Sequence, residues 1–498
     1  MPTREAERRE EPAASDAAVA LRSGVRLGGS LLLTWAIAIG IRILLPRQLG
    51  PAAFGWMNFA DAFTATAFVL IAFGIDTQIR KEVPVHPEMA TALFGGVVVL
   101  RAGLSLLVLA AMALILQVTR QPGVVWRLVF LFGLAQFVMS IGLTASAVLH
   151  ARSVVGGLSM VNVASKLLWA SGVLIGMATP YPLEAVAVAL LVAETAKAAA
   201  TYALARRDVG LRFHVDIPAA WRSVVIGVPF YLNTIAFTAY GRIDMTVLSF
   251  SIRDEQQLGW YGAAASLAGL SLLVTPLVGW VLMPLFVRAS ARGPEAMREA
   301  VARSMEVVVS IAVPTSLILI LGADVWIRLI FGMAYAPAAH QLRVLAAMYV
   351  LTYVATVSAC ALNVTGKEWF VTRISLTGLL VNPFLCVLLV GVAKNHFGAW
   401  GGAGTGAALA MLGAEAVVVV ALTASLGGVA FDRRSRRMLL RTFAAVAVVV
   451  VVHLLARPLG PARIALDAVA YVVLVLALRA VDWRELRDFT RSALRPAR

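Results

Sequence analysis

Five basic side chains lie within long apolar segments of the sequence, where an isolated charge is costly. A charged side chain near the centre of a bilayer costs about 2.5–3.5 kcal/mol on insertion scales, so such residues usually face a protein interior and bind a partner. The partner of a cation there is a carboxylate of the protein or an anionic ligand. The five residues are Arg42, Arg101, Lys166, Lys197 and Arg242.

Local context favours a structural role for three of these cations, which are therefore the weaker candidates for ligand binding. Lys197 follows Glu194 by three residues, so both lie on one helical face and are expected to form a neutralised pair. Arg101 and Lys166 lie near the ends of predicted spans, and we expect their long side chains to reach toward an interface.

Acidic residues in the apolar segments are fewer. Asp61 and Glu415 are candidates for ion coupling, although a structural polar contact explains them equally well. Asp76 is expected to bond to Arg80 on the next turn. Asp244 is two residues from Arg242, so a regular helix would place the two on different faces.

The sequence contains no arrangement that indicates an enzyme. Cys360 and Cys386 lie in apolar segments, and the six histidines are scattered, so we expect no metal site. Gly366 and Lys367 lack the upstream glycine and the following Ser or Thr of a phosphate-binding loop. We therefore predict no catalytic residues and no cofactor.

The elements that carry these residues are predicted to be membrane helices. Hydrophobic residues make up 60% of the 498 positions and charged residues only 14%, whereas soluble domains carry about 25% charged residues. Apolar windows long enough to span a bilayer, about 20 residues, recur along the chain. The predicted fold is an all-α integral membrane protein with about fourteen spans, at 25–45, 59–79, 91–117, 125–149, 154–178, 183–205, 223–250, 259–286, 303–322, 342–363, 370–392, 398–426, 440–456 and 463–480.

The distribution of positive charge predicts the orientation of these spans. Most of the 43 Lys and Arg residues fall in the loops on one side of the predicted membrane, the side that also holds both termini. By the positive-inside rule that side is cytoplasmic. The net charge of +16 therefore indicates topology in a cytoplasmic (inner) membrane and contact with membrane lipids, and we expect no nucleic-acid partner.

A short repeat divides the chain into two halves. Phe54-Gly55-Trp56-Met57 opens span two and Leu258-Gly259-Trp260-Tyr261 opens span eight, and each follows a helix with one isolated arginine, Arg42 or Arg242. This pattern predicts two pseudo-symmetric six-helix lobes with a substrate site between them, and it makes these two arginines the leading binding residues. The expected segments are a disordered tail (1–22), lobes at 23–205 and 223–430 joined by a basic linker (206–222), two further helices (431–480) and a basic tail (481–498).

Two motifs near the N-terminus are Arg47-Gln-Leu-Gly50-Pro-Ala-Ala-Phe-Gly55 and Phe73-Gly-Ile-Asp76-Thr-Gln-Ile-Arg80. They resemble the opening two helices of polysaccharide-biosynthesis (Wzx-type) flippases, a family of the superfamily that also contains lipid II flippases and multidrug exporters. Further similarity lies at 326–339, 362–367 and 397–408, so that the resemblance covers about residues 22–430.

The resemblance implies a flippase that moves a polyprenyl-diphosphate-linked glycan across the membrane by alternating access. It also implies a place in cell-surface polysaccharide assembly, beside a polysaccharide polymerase and other assembly proteins. A lipid II flippase and a cation-coupled multidrug exporter are the alternatives within the superfamily. A membrane scaffold or an integral glycosyltransferase is a further alternative, although an integral transferase would normally carry its acidic residues in a larger loop.

Overall fold

The computed structural model describes residues 3–71, 75–76, 79, 83, 86, 89–152, 154–272, 275–396, 398, 401–427 and 433–478. This part of the chain contains sixteen α-helices and no strand. Ten of its helical segments are long and apolar enough to cross a membrane. The prediction of an all-helical, multi-pass membrane protein is thereby confirmed.

The first helices carry four of the five candidate cations. α1 changes direction at Gly50, whose φ of 75° is the left-handed conformation that favours glycine. This turn separates the first two predicted spans. The bounds are α1 Thr3–Phe68, α2 Met89–Val118, α3 Gly123–Ala151, α4 Val155–Gly176 and α5 Pro182–Val209.

The remaining helices include the one that carries Glu415 and the two that flank Arg242. Their bounds are α6 Ile217–Tyr240, α7 Ile243–Ser251, α8 Glu255–Gly269, α9 Thr275–Arg292, α10 Pro294–Leu321, α11 Ala323–Ile330, α12 Ala338–Val364, α13 Glu368–His396, α14 Gly402–Leu426, α15 Arg433–Leu455 and α16 Arg463–Ala477. Short 3-10 turns follow α1, α8, α11 and α15.

Spans seven and eight are not continuous helices, contrary to expectation. Span seven is divided into α6 and α7, and Arg242 lies in the break with φ −139° and ψ −7°. Span eight is divided into α8 and α9, and a 3-10 turn at Leu270–Leu272 ends the first piece. Pro276 is the second residue of α9, which follows the second break, whereas Pro284, Pro314 and Pro383 lie inside continuous helices.

The chain forms two compact units. The first comprises Met1–Leu49 and Ala60–Thr238, and the second comprises Gly50–Phe59 and Ala239–Arg498. Within the first unit, α5 packs against both α3 and α4. Within the second, α12, α13 and α14 pack together, and α12 also contacts α8 and α10.

The last two helices form a hairpin that packs on α10. Buried side chains from α10, α15 and α16 make a separate apolar cluster: Leu317, Leu321, Ala445, Val449, Tyr471 and Val475. At one end of the hairpin, Arg463 bonds to Asp324 at 2.5 Å. Beside it, His453 and Asp467 approach to 2.6 Å. Apolar packing on α10 and the pair of Arg463 with Asp324 of α11 hold the hairpin in place, whereas the contact of His453 with Asp467 joins α15 to α16.

Candidate anion-binding site

α4 and α5 bring two lysines and one glutamate together in the first unit. The Lys197 ammonium lies 3.4 Å from Glu194 Oε2, with side chains 27% and 15% exposed. This is the neutralised i,i+3 pair that the spacing predicts. Lys166, on the neighbouring helix, lies within electrostatic range of both residues. Helix packing therefore adds a third charge that the local spacing could not reveal.

Arg42 of α1 completes this basic cluster, which consists of Arg42, Lys166, Lys197 and Glu194. Lys166 also interacts electrostatically with Arg42. The Arg42 side chain is exposed, and the two lysines are partly exposed. The cluster thus contains three cations and one carboxylate, and all four side chains are at least partly exposed. Accessible basic side chains of this kind can bind an anionic group.

An aromatic ring borders the basic cluster. The Lys166 ammonium lies over the Trp169 ring, 4.4 Å from its centre. A cation over an aromatic face is attracted to the negative face of the ring, and the contact also fixes the side chain. Trp169 is half-buried and follows Lys166 by three residues, a spacing that indicates a shared helical face. This three-residue spacing is the signal in the sequence that indicates the contact.

Arg101 lies apart from the cluster and is fully enclosed, so the prediction that it reaches toward an interface is wrong. Its guanidinium is 1% exposed and donates to Ile71 O at 3.2 Å, Ser140 O at 2.7 Å and the Thr144 hydroxyl. It also pairs with Asp76 Oδ2 at 3.1 Å. The expected partner of Asp76, Arg80, is outside the described residues. Arg101 ties three segments of the first unit together.

Arg242 belongs to the second unit, where it lies at the helix break. Asp244 follows it in α7 and is within its electrostatic range. The Asp244 carboxylate is buried and accepts a hydrogen bond from the Tyr261 hydroxyl of α8. Sequence spacing did not identify Tyr261, because the contact depends on how α7 packs on α8.

The two ion-coupling candidates differ in their surroundings. Glu415 of α14 is 3% exposed, and its carboxylate accepts a hydrogen bond of 2.8 Å from the Tyr240 hydroxyl. Asp61 of α1 is half-buried and belongs to the first unit. Its backbone carbonyl accepts a hydrogen bond of 3.0 Å from the Thr64 hydroxyl.

Family comparison agrees with this architecture. The sequence profile of the family described as "Polysaccharide biosynthesis protein" matches residues 21–290, more than half of the chain. The chain belongs to this family. A search of curated proteins finds no match for this chain.

Solved structures with similar folds are transporters. A lipid II flippase, MurJ, in an inward closed conformation has a TM-score of 0.69 at 11% identity, over 93% of this chain and 99% of that one. An inward-facing multidrug resistance MATE transporter of the MOP superfamily has a TM-score of 0.62 at 13% identity, over 82% and 99%. A MOP superfamily transporter from Pyrococcus furiosus, described as having a binding pocket of reverse polarity, has a TM-score of 0.55 at 14% identity, over 82% and 96%.

The chain thus shares the helical fold of these flippase and transporter structures. At sequence identities of 11–14%, the similarity to these structures shows the fold but does not show which residues of this chain bind a ligand.

Proposed function

We propose that the protein is a flippase that moves a polyprenyl-diphosphate-linked oligosaccharide across the cytoplasmic membrane by alternating access, for assembly of a cell-surface polysaccharide. The observation that carries this proposal is the basic cluster, which holds three cations and one carboxylate on apolar helices of one unit. A diphosphate diester carries a charge of about −2, and the basic side chains of the cluster can form charge-assisted hydrogen bonds with its oxygens.

Membrane energetics favour outward movement of such a substrate. In the proposed topology both termini are cytoplasmic. Moving a charge of −2 outward against an inside-negative potential gains about 4.6 kcal/mol per 100 mV. The prenyl tail stays in hydrocarbon beside the protein, so only the headgroup needs a polar path. Arg42 and Arg242 are proposed to contact the headgroup, with Lys166 and Lys197 beside Arg42, whereas Arg101 serves to hold the fold.

Reconstituted vesicles test the proposal directly. The purified protein would be inserted into phosphatidylcholine–phosphatidylglycerol vesicles that contain a fluorescent prenyl-diphosphate-linked N-acetylglucosamine, and flipping would be followed by dithionite quenching. Loss of one charge-assisted contact costs about 1.5–3 kcal/mol, so Lys166→Met should weaken probe binding about 10- to 150-fold. Arg42→Ala and Arg242→Ala should abolish flipping.

Arg127→Gln is the matched control, because Arg127 is an exposed cation of the same unit whose partner is Glu184 at 2.8 Å. It should flip the probe at the wild-type rate. Wild-type flipping by a folded Arg42→Ala, Lys166→Met double variant would refute the proposed role of the cluster. Export of polymer should also require the protein in cells, alongside a polysaccharide polymerase.

A lipid II flippase would use the same chemistry with a different headgroup. Rescue of a strain depleted of its lipid II flippase would favour that substrate. Failure of rescue, with restored polymer export in a polysaccharide mutant, would favour the oligosaccharide.

A cation-coupled exporter is the second candidate, and the buried carboxylates of Asp244 and Glu415 in the second unit favour it. A carboxylate in an apolar bundle can bind a proton or a metal cation during transport. That function predicts efflux of a cationic dye that is lost in Glu415→Gln or Asp61→Asn. Absence of dye efflux by the wild-type protein would eliminate it.

A further inference from the structure

A groove lies on the surface of the second unit, between α10 and α16. Its lining is nearly all apolar: Leu317 and Leu321 of α10 form one wall, and Ile464 and Ala468 of α16 form the other. Val472, at the far end of the groove, is more than half exposed, so the groove opens on the outer surface of the helix bundle. An apolar cavity of this kind stays dry and takes up an apolar ligand.

The length of the groove matches one leaflet of a bilayer. From Ile464 to Val472 the α16 wall covers about 12 Å, at a rise of 1.5 Å per residue. Half of the hydrocarbon core of a bilayer is about 15 Å thick. A single acyl chain that enters at the Ile464 end would therefore be covered along most of its depth.

The charged residue of the lining, Asp467, has its partner within the hairpin. Its side chain is 3% exposed, and its Oδ2 atom lies 2.6 Å from Nδ1 of His453 on α15. The carboxylate therefore presents almost no surface to a ligand, and the wall that an acyl chain would meet consists of carbon atoms.

Charged side chains adjoin the groove at its Ile464 end. Arg463 directly precedes Ile464 and bonds to Asp324 of α11 at 2.5 Å. Arg343 of α12 lies 3.6 Å from the same carboxylate. Asp324 is three residues beyond Leu321, so these charges lie next to the end of both walls.

Arginines outnumber carboxylates at this end of the groove. The stretches 322–343 and 456–466 contain one carboxylate, that of Asp324, and four arginines: Arg328, Arg343, Arg457 and Arg463. In the predicted topology both stretches lie on the outer side of the membrane, where the positive-inside rule leads us to expect few basic residues. Topology therefore does not account for this positive charge, whereas an anionic ligand would.

Arg343 retains hydrogen-bond donors for such a ligand. Its 3.6 Å contact with Asp324 is longer than a hydrogen bond, and one of its nitrogens lies 3.4 Å from Nδ1 of His340. A guanidinium group has five N–H donors in a planar fork, which can bind two oxygens of one phosphate. The Arg343 side chain is 36% exposed, so a phosphate group can reach it.

We propose that an anionic phospholipid of the outer leaflet binds here, with its phosphate on Arg343 and the neighbouring arginines and one acyl chain in the groove. Phosphatidylglycerol has the required chemistry, because no cation in its headgroup compensates the phosphate. Phosphatidylcholine, in contrast, carries a quaternary ammonium. The bound lipid would join α12 to α16 and so help to hold the hairpin in place. This inference does not depend on the identity of the transported substrate.

Photo-crosslinking of a lipid to the full-length protein in detergent micelles tests the proposal. The probe is phosphatidylglycerol with a diazirine in the middle of one acyl chain, and peptide mapping locates the label. The label should be concentrated on residues 464–472 and 314–321. Unlabelled phosphatidylglycerol should compete at about tenfold lower concentration than phosphatidylcholine with the same chains, the difference expected for one charge-assisted contact. Glycerol 3-phosphate, which has no acyl chain, should not compete at these concentrations.

Two variants separate the headgroup contact from the chain contact. Arg343→Gln should weaken competition by phosphatidylglycerol about tenfold and leave that by phosphatidylcholine unchanged. Ala468→Phe fills the groove and should reduce labelling at least about tenfold. Their matched controls are Arg253→Gln, an exposed cation of the same unit, and Val469→Phe, an exposed α16 residue outside the groove lining. Both controls should behave as wild type.

Several results would overturn the inference. Label spread evenly over the exposed helix surfaces would show ordinary contact with bulk lipid. Equal competition by the two phospholipids in wild type, or an unchanged preference in Arg343→Gln, would remove the phosphate contact. Stronger competition by undecaprenol than by phosphatidylglycerol would assign the groove to a prenyl chain instead. The label map and the competition in wild type decide the matter even if Ala468→Phe does not fold.

Discussion

A Cβ atom added to Gly55 would lie 2.9 Å from the backbone nitrogen of Gly259. These are the glycines of the two repeated Gly-Trp motifs, which therefore contact each other within the second unit. The Trp260 indole donates to Ala334 O at 2.8 Å, and Phe54 packs edge-on against Tyr335 at 6.3 Å. The two copies of the motif form a close crossing of α1 with α8, and the rings of Phe54, Trp260 and Tyr335 pack beside it.

The close approach predicts that Gly259→Ala destabilises the protein. An added methyl group would meet the backbone of Pro51, which cannot move aside as a flexible side chain could. Overpacking of this kind costs about 1–3 kcal/mol. Thermal denaturation in detergent should show a lower midpoint than wild type. Gly279→Ala is the control, because a Cβ there meets no atom within 4 Å. Equal denaturation midpoints for Gly259→Ala and Gly279→Ala would contradict the close approach of the two backbones.

Arg101→Met should unfold the first unit rather than impair substrate binding. Removing one partner of a buried, hydrogen-bonded ion pair costs about 3–5 kcal/mol, because the other charge is left without compensation. Fluorescence-detected size exclusion should show little folded protein. Arg127→Met removes an exposed ion pair and should cost at most about 1 kcal/mol. A stable Arg101→Met protein that no longer flips substrate would make Arg101 a binding residue after all.

The pair formed by Arg463 and Asp324 should make hairpin docking depend on pH. Partial burial alone would raise the pKa of Asp324, but Arg463, with a smaller contribution from Arg343, holds this pKa below its usual value. A depressed pKa contributes stability that is complete above the unfolded-state pKa of about 3.9 and is lost as pH falls through the folded-state value.

Asp324→Asn should therefore lower the denaturation midpoint at pH 7, and its difference from wild type should disappear under strongly acidic conditions. Glu299→Gln, which removes an exposed pair with Arg303, is the control and should change the midpoint little. A difference that persists unchanged at pH 3 would argue against the ion pair as its cause.

Trp169→Leu should weaken binding of the prenyl-diphosphate probe without unfolding the protein. The contact between Lys166 and Trp169 is worth about 0.5–2 kcal/mol, which corresponds to roughly 3- to 30-fold in dissociation constant. Titration calorimetry would measure it, with the exposed Trp369→Leu as control. Unchanged affinity in Trp169→Leu would show that the ring does not position Lys166.

Local signals in the sequence predicted those features that depend on one helix. The hydrophobic spans follow from runs of apolar residues, and the pairing of Lys197 with Glu194 follows from their three-residue spacing. The proximity of Lys166 to this pair depends on how α4 packs on α5, and no spacing along the chain encodes it. The family was predicted from motifs that resemble known flippases and not from composition.

Expectations that treated a span as a regular helix were less reliable. Arg242 was expected within a continuous helix, but it lies between α6 and α7, where Asp244 turns to the Tyr261 hydroxyl. Arg101 was expected at an interface because it lies near a span end. Whether an arginine is buried depends on the hydrogen-bond acceptors that neighbouring helices supply, such as Ser140 O for Arg101. The positions of these acceptors follow from helix packing and not from spacing along the sequence.

Residues 50–59 precede the linker by about 150 positions along the sequence and yet belong to the second unit. A polypeptide cut within 206–222 would therefore yield two fragments that are not self-sufficient, because the second lacks the partner for Gly259. The fragments should recover a native fold only when produced together, and the second fragment alone should bind a peptide that carries the sequence of residues 50–59. A segment of the N-terminal half is therefore part of the second unit, although the two copies of the repeat follow one another along the sequence.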